Sequence, residues 1–154
     1  MAIMGINGEL VSVQVDVSSG LPYFEIVGLP DTTVRESKER VRVSIKNSGY
    51  DFFSKRIIVN LAPANTKKVG SIFDLPIAIG ILTSIGIINK KDFSDYIIIG
   101  ELSLDGKIKK VQEALAICIE MRKQGIKNII LPTIFSLRIP MIALCPSPLT
   151  PTAL

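Results

Sequence analysis

The chain predicts an α/β (α+β) domain, a two-layer mixed β-sheet with helices packed on it. Three observations carry that prediction. Leu10–Ser18 alternates strictly, Val11, Val13, Val15 and Val17 against Ser12, Gln14, Asp16 and Ser18, which is the period of a half-buried strand. Val34, Val41 and Ile45 then recur at helical spacing before the apolar run of Lys55–Pro63. Finally, Asp105-Gly106 sits between Leu102/Leu104 and Ile108/Val111, the strongest short hairpin signal a sequence offers. Strands alternating with helices and hairpins give a mixed sheet with helices laid over it.

Taken in order, the strand at Leu10–Ser18 ends at Ser19-Gly20-Leu21-Pro22, a turn signal, and Tyr23–Gly28 reads as its antiparallel hairpin partner. Gly28-Leu29-Pro30-Asp31 opens a helix. Thr33 and Glu36 have capping-box spacing, Asp31 is a second candidate cap, and Gly49 supplies the stop. This helix carries Arg35, Lys38, Arg40, Arg42 and Lys46 against Glu36 and Glu39, which makes it the most basic element of the chain. Lys55–Pro63 is a third strand whose continuous apolar centre suggests burial on both faces. Leu75–Leu82 is a helix apolar nearly all round and therefore buried, with Pro76 in its first turn and Asp74 as its cap. Tyr96–Gly100 is a short buried strand, and the hairpin of Glu101–Val111 follows. Gln112–Gln124 is a helix offering Ala114, Leu115, Cys118, Ile119 and Met121 to the core. Gly125 stops it, and Ile126–Leu131 is the last strand. No internal repeat is visible.

Residues 1–132 form one domain in this reading, and 133–154 form an apolar, proline-rich tail. Five of the nine prolines fall in Pro132–Leu154, the only charge after Thr133 is Arg138, and the last acidic residue is Glu120. Such a stretch is a poor helix and a poor solvated linker. It reads either as a packed extension or as an out-of-frame or truncated remnant of an interrupted gene.

Composition narrows the chemistry. The 154 residues are 47% hydrophobic and 21% charged, a globular mixture with enough chain for a core. No apolar run approaches the roughly 20 residues of a membrane span, and the N-terminus has no signal-peptide core. Two cysteines, Cys118 and Cys145, far apart, fit a reducing cytoplasm. With no histidine there is no Ser-His-Asp or Cys-His nucleophile and no histidine-ligated zinc. A net charge of +4 leans mildly toward acidic partners such as DNA. Neither G-x-x-x-x-G-K-[ST] nor G-x-G-x-x-G occurs, so the sequence has no P-loop and no dinucleotide fingerprint. The expectation is a chain with no cofactor, no metal and no membrane partner.

Longer phrases carry a resemblance. GLPD, RESKERV, NLAPA, FDLPIA and GELSLDG, in that order from about Gly5 to Pro132, resemble the N-terminal domain of the ComM/YifB family, often labelled magnesium-chelatase-like. The resemblance implies a fold similar to the C-terminal domains of Lon protease and of the DNA-repair ATPase RadA. It also implies a neighbouring AAA+ ATPase module, to which ATP and magnesium would belong, a hexameric ring, and a part in DNA branch migration during natural transformation. The present residues would then support ring assembly or guide DNA without catalysing.

The Lon likeness raises a peptidase reading, a Ser/Lys pair with Ser71 about one residue out of register. Where a lysine is wanted, the helix offers Leu115 and its neighbours; Arg122 and Lys123 come two turns too late. A serine without a depressed-pKa lysine is a weak nucleophile, so Ser71 reads as a loop hydroxyl. Lys67, Lys68, Lys107, Lys109 and Lys110 read as solubilising surface lysines. The nucleic-acid candidates are Arg35, Lys38, Arg42 and Lys46, whose spacings of three, four and seven put several on one side of a helix; the same pattern reads equally as a solvated face, and thirdly as a contact to a neighbouring subunit.

Overall fold

The computed structural model describes residues 2–4, 9–51, 54–89, 93–112 and 114–132. The proposed tail, 133–154, lies outside them, as does Cys145. Among the described residues eight strands and three helices follow one another as β1 (Ala2–Met4), β2 (Leu10–Ser19), β3 (Tyr23–Val27), α1 (Thr32–Asn47), β4 (Lys55–Ala62), α2 (Asp74–Ser84, led in by a 3-10 turn at Ser71–Phe73), β5 (Tyr96–Ile98), β6 (Glu101–Leu102), β7 (Ile108–Lys109), α3 (Ala114–Lys123) and β8 (Asn128–Ile130). The main sheet has the order β3-β4-β2-β1-β5-β8. Only β2 runs against its neighbours; β3–β4, β1–β5 and β5–β8 pair in parallel. The expected mixed sheet with packed helices is therefore the architecture found.

The alternation of β2 is realised as predicted. Val13, Val15 and Val17 stand opposite Leu61, Val59 and Ile57 of β4 on one face, with Ile26 of β3 beside Val59 in the same apolar core as residues of α1 and α2. Gln14 stands opposite Asn60 on the other face and accepts its side-chain hydrogen bond at 2.9 Å. β4 is accordingly half-buried on its outer face rather than buried on both, with Ile57, Val59 and Leu61 inside and Ile58 and Asn60 partly open.

One pairing departs from expectation. β2 and β3 do not form a hairpin, because β4 lies between them, antiparallel to β2 and parallel to β3. From Ser19 to Tyr23 four steps of at most about 3.5 Å cover the roughly 9.5 Å to the strand beyond the neighbour. β4 also pairs with β2 along eight positions, Ser12↔Ala62 through Ser19↔Lys55. The five-residue β3 could not match that, so it takes the edge.

Helices α1 and α2 sit on the valine face. Asp31 caps α1, accepting from the Val34 backbone N–H at 2.8 Å, so it and not Thr33 is the cap. Val34, Ser37, Val41, Ser44 and Ile45 face inward. α2 is buried along most of its length, as its composition predicts. The β6–β7 hairpin turns through Gly106 at φ +85°.

The inner face of α3 differs from the prediction. Ile117 and Met121 are buried, whereas Leu115 and Ile119 are 74% and 52% exposed. In ALAICIEM, apolar residues fall on every side of the helix, so periodicity alone does not choose the face. β1 carried no sequence signal and was not expected.

Candidate functional site

Helix α1 positions the charged side chains, and its two flanks do different things. At 100° per residue, the buried stripe Val34–Val41–Ile45 has Arg40 on one side and Arg35, Lys38, Arg42 and Lys46 on the other. Arg40 turns toward α2. Its Nε donates to Asp74 Oδ2 at 2.8 Å and its Nη2 to Asp74 Oδ1 at 3.1 Å, a two-point pairing of guanidinium and carboxylate. Nη2 also donates to the Thr33 carbonyl at 2.9 Å and to Ser37 Oγ at 3.0 Å. The Asp74 side chain is fully buried and accepts a third bond, from the Leu102 backbone N–H at 3.2 Å. The pairing with Asp74 raises the Arg40 pKa, against the opposing effect of burial.

Asp74 is therefore not the cap it was expected to be. No side chain caps α2, and the carboxylate instead ties three segments together: α1, the start of α2, and β6. A lone Asp before Leu-Pro looks like a cap because its partner lies 34 residues away and gives no local signal.

The opposite flank of α1 bears the four predicted basic residues. Arg35, Arg42 and Lys46 are exposed and Lys38 is half-buried. From Arg35 to Lys46 they extend for about 16 Å along the axis. Arg42 also meets Glu39 at 3.4 Å. Lys38 and Arg42 lead into a cleft of ≈ 150 Å³ between α1 and the β3–β4 edge, walled by Pro22, Phe24, Ile57, Glu39 and Lys55. Lys55 was not among the predicted residues; as the first residue of a strand it reads as an end charge, and only the β3–β4 register brings it to α1. Tyr23 lines the cleft as well, and Arg56 lies over its ring, 5.2 Å from the centroid.

Ser71 lies apart from that flank. Its hydroxyl donates to Glu101 Oε2 at 2.5 Å, and Lys109 Nζ donates to Glu101 Oε1 at 3.0 Å. These bonds, from Ser71 first and Lys109 second, hold the Glu101 carboxyl below its usual range. A carboxylate so stabilised is a weak proton acceptor, and among the described residues no amine bonds to Ser71. Lys109, expected as a solubilising charge, thus pairs across the hairpin with Glu101, and Glu101 in turn fastens the hairpin to Ser71 at the start of α2.

Lys68 also departs from its predicted surface place. It is only 2% exposed, its ammonium donates to the Pro63 carbonyl, and burial pulls its pKa down. Its backbone locks the GLPD segment: Lys68 N–H donates to Leu29 O at 3.1 Å and Asp31 N–H to Lys68 O at 3.0 Å. Among the described residues no cluster of three acidic or thiol side chains is placed to hold a metal, and no helix is long and apolar enough to cross a membrane.

Comparison with known proteins gives the family. The family model for subunit ChlI of Mg-chelatase matches residues 13–134. The chain is 42% identical over 129 residues to the uncharacterized protein YifB of Escherichia coli K12, across 84% of this chain and 26% of that protein. It is 41% identical over 132 residues to YifB of Salmonella typhimurium LT2, across 86% and 26%. To the competence protein ComM of Haemophilus influenzae it is 39% identical over 122 residues, across 79% and 24%. The chain spans about a quarter of the length of the curated relatives it matches.

Proposed function

The chain belongs to the family of subunit ChlI of Mg-chelatase, and on that premise we propose that it acts as a binding domain of a ComM/YifB-type ATPase that guides DNA along the basic flank of α1. The observation that carries this is the division of that helix. Arg40 is consumed in anchoring it to Asp74, which leaves Arg35, Lys38, Arg42 and Lys46 presented in a row on a fixed element. A row of about 16 Å matches the axial run of about five phosphates on one DNA strand. The contact would be to the backbone and indifferent to sequence. In this reading ATP and magnesium belong to a motor module, the Lon-like fold serves binding rather than peptide hydrolysis, and the work is done in the cytoplasm during DNA branch migration and transformation.

The test is salt-dependent binding of the chain to a duplex, read by fluorescence anisotropy. The logarithm of the affinity should fall linearly with the logarithm of salt, and Arg35→Ala with Lys38→Ala and Arg42→Ala should flatten the slope by about 2.7. Binding indifferent to salt, or an unchanged slope in the triple variant, refutes the reading.

A second reading, self-association in a hexameric ring, rests on Leu115 and Ile119, one turn apart and exposed on α3. The mass in solution tests it, with Leu115→Glu as the variant that should return any assembly to the monomer.

A further inference from the structure

The cleft at the end of the basic flank has a chemistry that the flank alone does not. Its floor is largely apolar, formed by Pro22, Tyr23 and half-buried Phe24 over the buried Ile57. Its rim carries three cations from two elements, Lys38 and Arg42 of α1 and Lys55 of β4, against the single carboxylate of Glu39. At ≈ 150 Å³ it is about the size that admits one benzene-like ring, far too small for a duplex. We infer that this cleft seats one unpaired nucleotide of a nucleic-acid strand, its base against Pro22, Tyr23 and Phe24 and its phosphate among Lys38, Arg42 and Lys55.

The inference rests on the DNA-guiding reading and deepens it. Duplex phosphates can run along Arg35, Lys38, Arg42 and Lys46 without entering the cleft. A base can enter only if it is free of its partner, as at a strand end or a branch point. An aromatic floor beside a cationic rim is the general means by which single strands are held without regard to sequence. Glu39 is 60% exposed at its side chain, so it can swing from Arg42 to let a phosphate in, and its charge opposes binding.

The experiment compares three probes of equal length by anisotropy at fixed salt: oligo(dT), the same phosphodiester chain lacking bases, and a blunt duplex. Oligo(dT) should bind roughly 5- to 150-fold more tightly than the abasic chain, the range one stacked base confers. Lys55→Ala should weaken oligo(dT) binding and lower its salt slope by about 0.7, Lys55→Arg should restore it, and Glu39→Gln should tighten it. Because all three substitutions are on exposed side chains, the fold is not at stake. Equal affinity for oligo(dT) and the abasic chain, or an unaffected Lys55→Ala variant, overturns the nucleotide seat while duplex binding upholds the flank. Failure of every probe to bind overturns both.

Discussion

Removing the Arg40 guanidinium tests whether α1 is fastened as described. Asp74 is fully buried and takes three hydrogen bonds, two of them from Arg40 at 2.8 and 3.1 Å and one from Leu102 N–H at 3.2 Å. Arg40→Ala leaves a buried carboxylate with the Leu102 N–H alone. Breaking a buried pair from one side costs about 3–5 kcal/mol, a large fraction of the roughly 5–15 kcal/mol that a domain has. Replacing both partners by apolar residues of similar shape, Arg40→Met with Asp74→Leu, removes the stranded charge. What remains unpaired is the Leu102 N–H and the Ser37 hydroxyl, at about 1 kcal/mol each. The double variant should therefore lie within about 2 kcal/mol of wild type and be more stable than Arg40→Ala. Urea unfolding followed by far-ultraviolet circular dichroism, with no tryptophan to interfere, measures all three. Because the pair is shielded from solvent, the Arg40→Ala cost should persist in 0.5 M salt (an ionic strength at which exposed pairs are screened). A cost under about 1 kcal/mol, or a double variant no better than the single, refutes the anchoring role.

Other perturbations follow from the same contacts. At Gly28, φ is +101° and an added Cβ would lie 2.1 Å from the Leu61 carbonyl oxygen, so Gly28→Ala should cost about 3 kcal/mol or more; Gly86→Ala, at φ +81° with nothing within 4 Å, should cost about 1 kcal/mol, and thermal melts compare the two. Glu101 has a depressed carboxyl pKa, so its contribution is complete above the unfolded value of about 4.3 and is lost as the pH falls through the folded one. Glu101→Gln should then cost up to about 1 kcal/mol at pH 7, given its partial exposure, and progressively less as the pH falls below about 4.3, as denaturant titrations across that range would show. Ser71→Ala should leave casein turnover at the wild-type background, and a drop would revive the peptidase reading. For Lys68 the buried stem matters more than the ammonium: Lys68→Ala should cost about 2–3 kcal/mol and Lys68→Met about 1, by the same unfolding measurement.

What could be read from the sequence was whatever is settled within a few residues. The valine alternation of β2, the Asp105-Gly106 turn, the stop at Gly49 and the apolar run of α2 each depend on local sterics or local burial, and each stands in the structure. What could not be read depends on partners far along the chain. β4 displaces β3 from β2 because its eight matched positions outcompete five, a comparison no turn signal contains. Asp74 looks like a cap until Arg40 is brought to it. Lys68 looks like a surface lysine until Leu29 and Asp31 close over its backbone. On α3, apolar residues on all sides make the choice between Leu115 and Ile117 invisible to periodicity.

The candidate interface shows the same division within a single helix. In sequence the five cations of α1 are alike, and counting them yields only a basic element. The structure separates them by what faces each flank. Arg40 meets a buried carboxylate and is worth stability; on the other flank Arg35, Arg42 and Lys46 are exposed and Lys38 half-buried, and exposed charges add little to stability but keep their field available to a polyanion. The two roles depend on each other. A cationic row is useful to DNA only if its spacing is fixed, and the Arg40–Asp74 pair ties α1 to α2 beside the apolar core that the two helices share. It follows that Arg40→Ala, which removes no residue from the row, should still weaken DNA binding beyond the loss of one distant charge, and that the Met/Leu double variant should recover it. If DNA affinity instead tracks only the number of cations on α1, with Arg40→Ala equivalent to Arg35→Ala and no recovery in the double variant, the anchored presentation of the flank is wrong even though the flank binds.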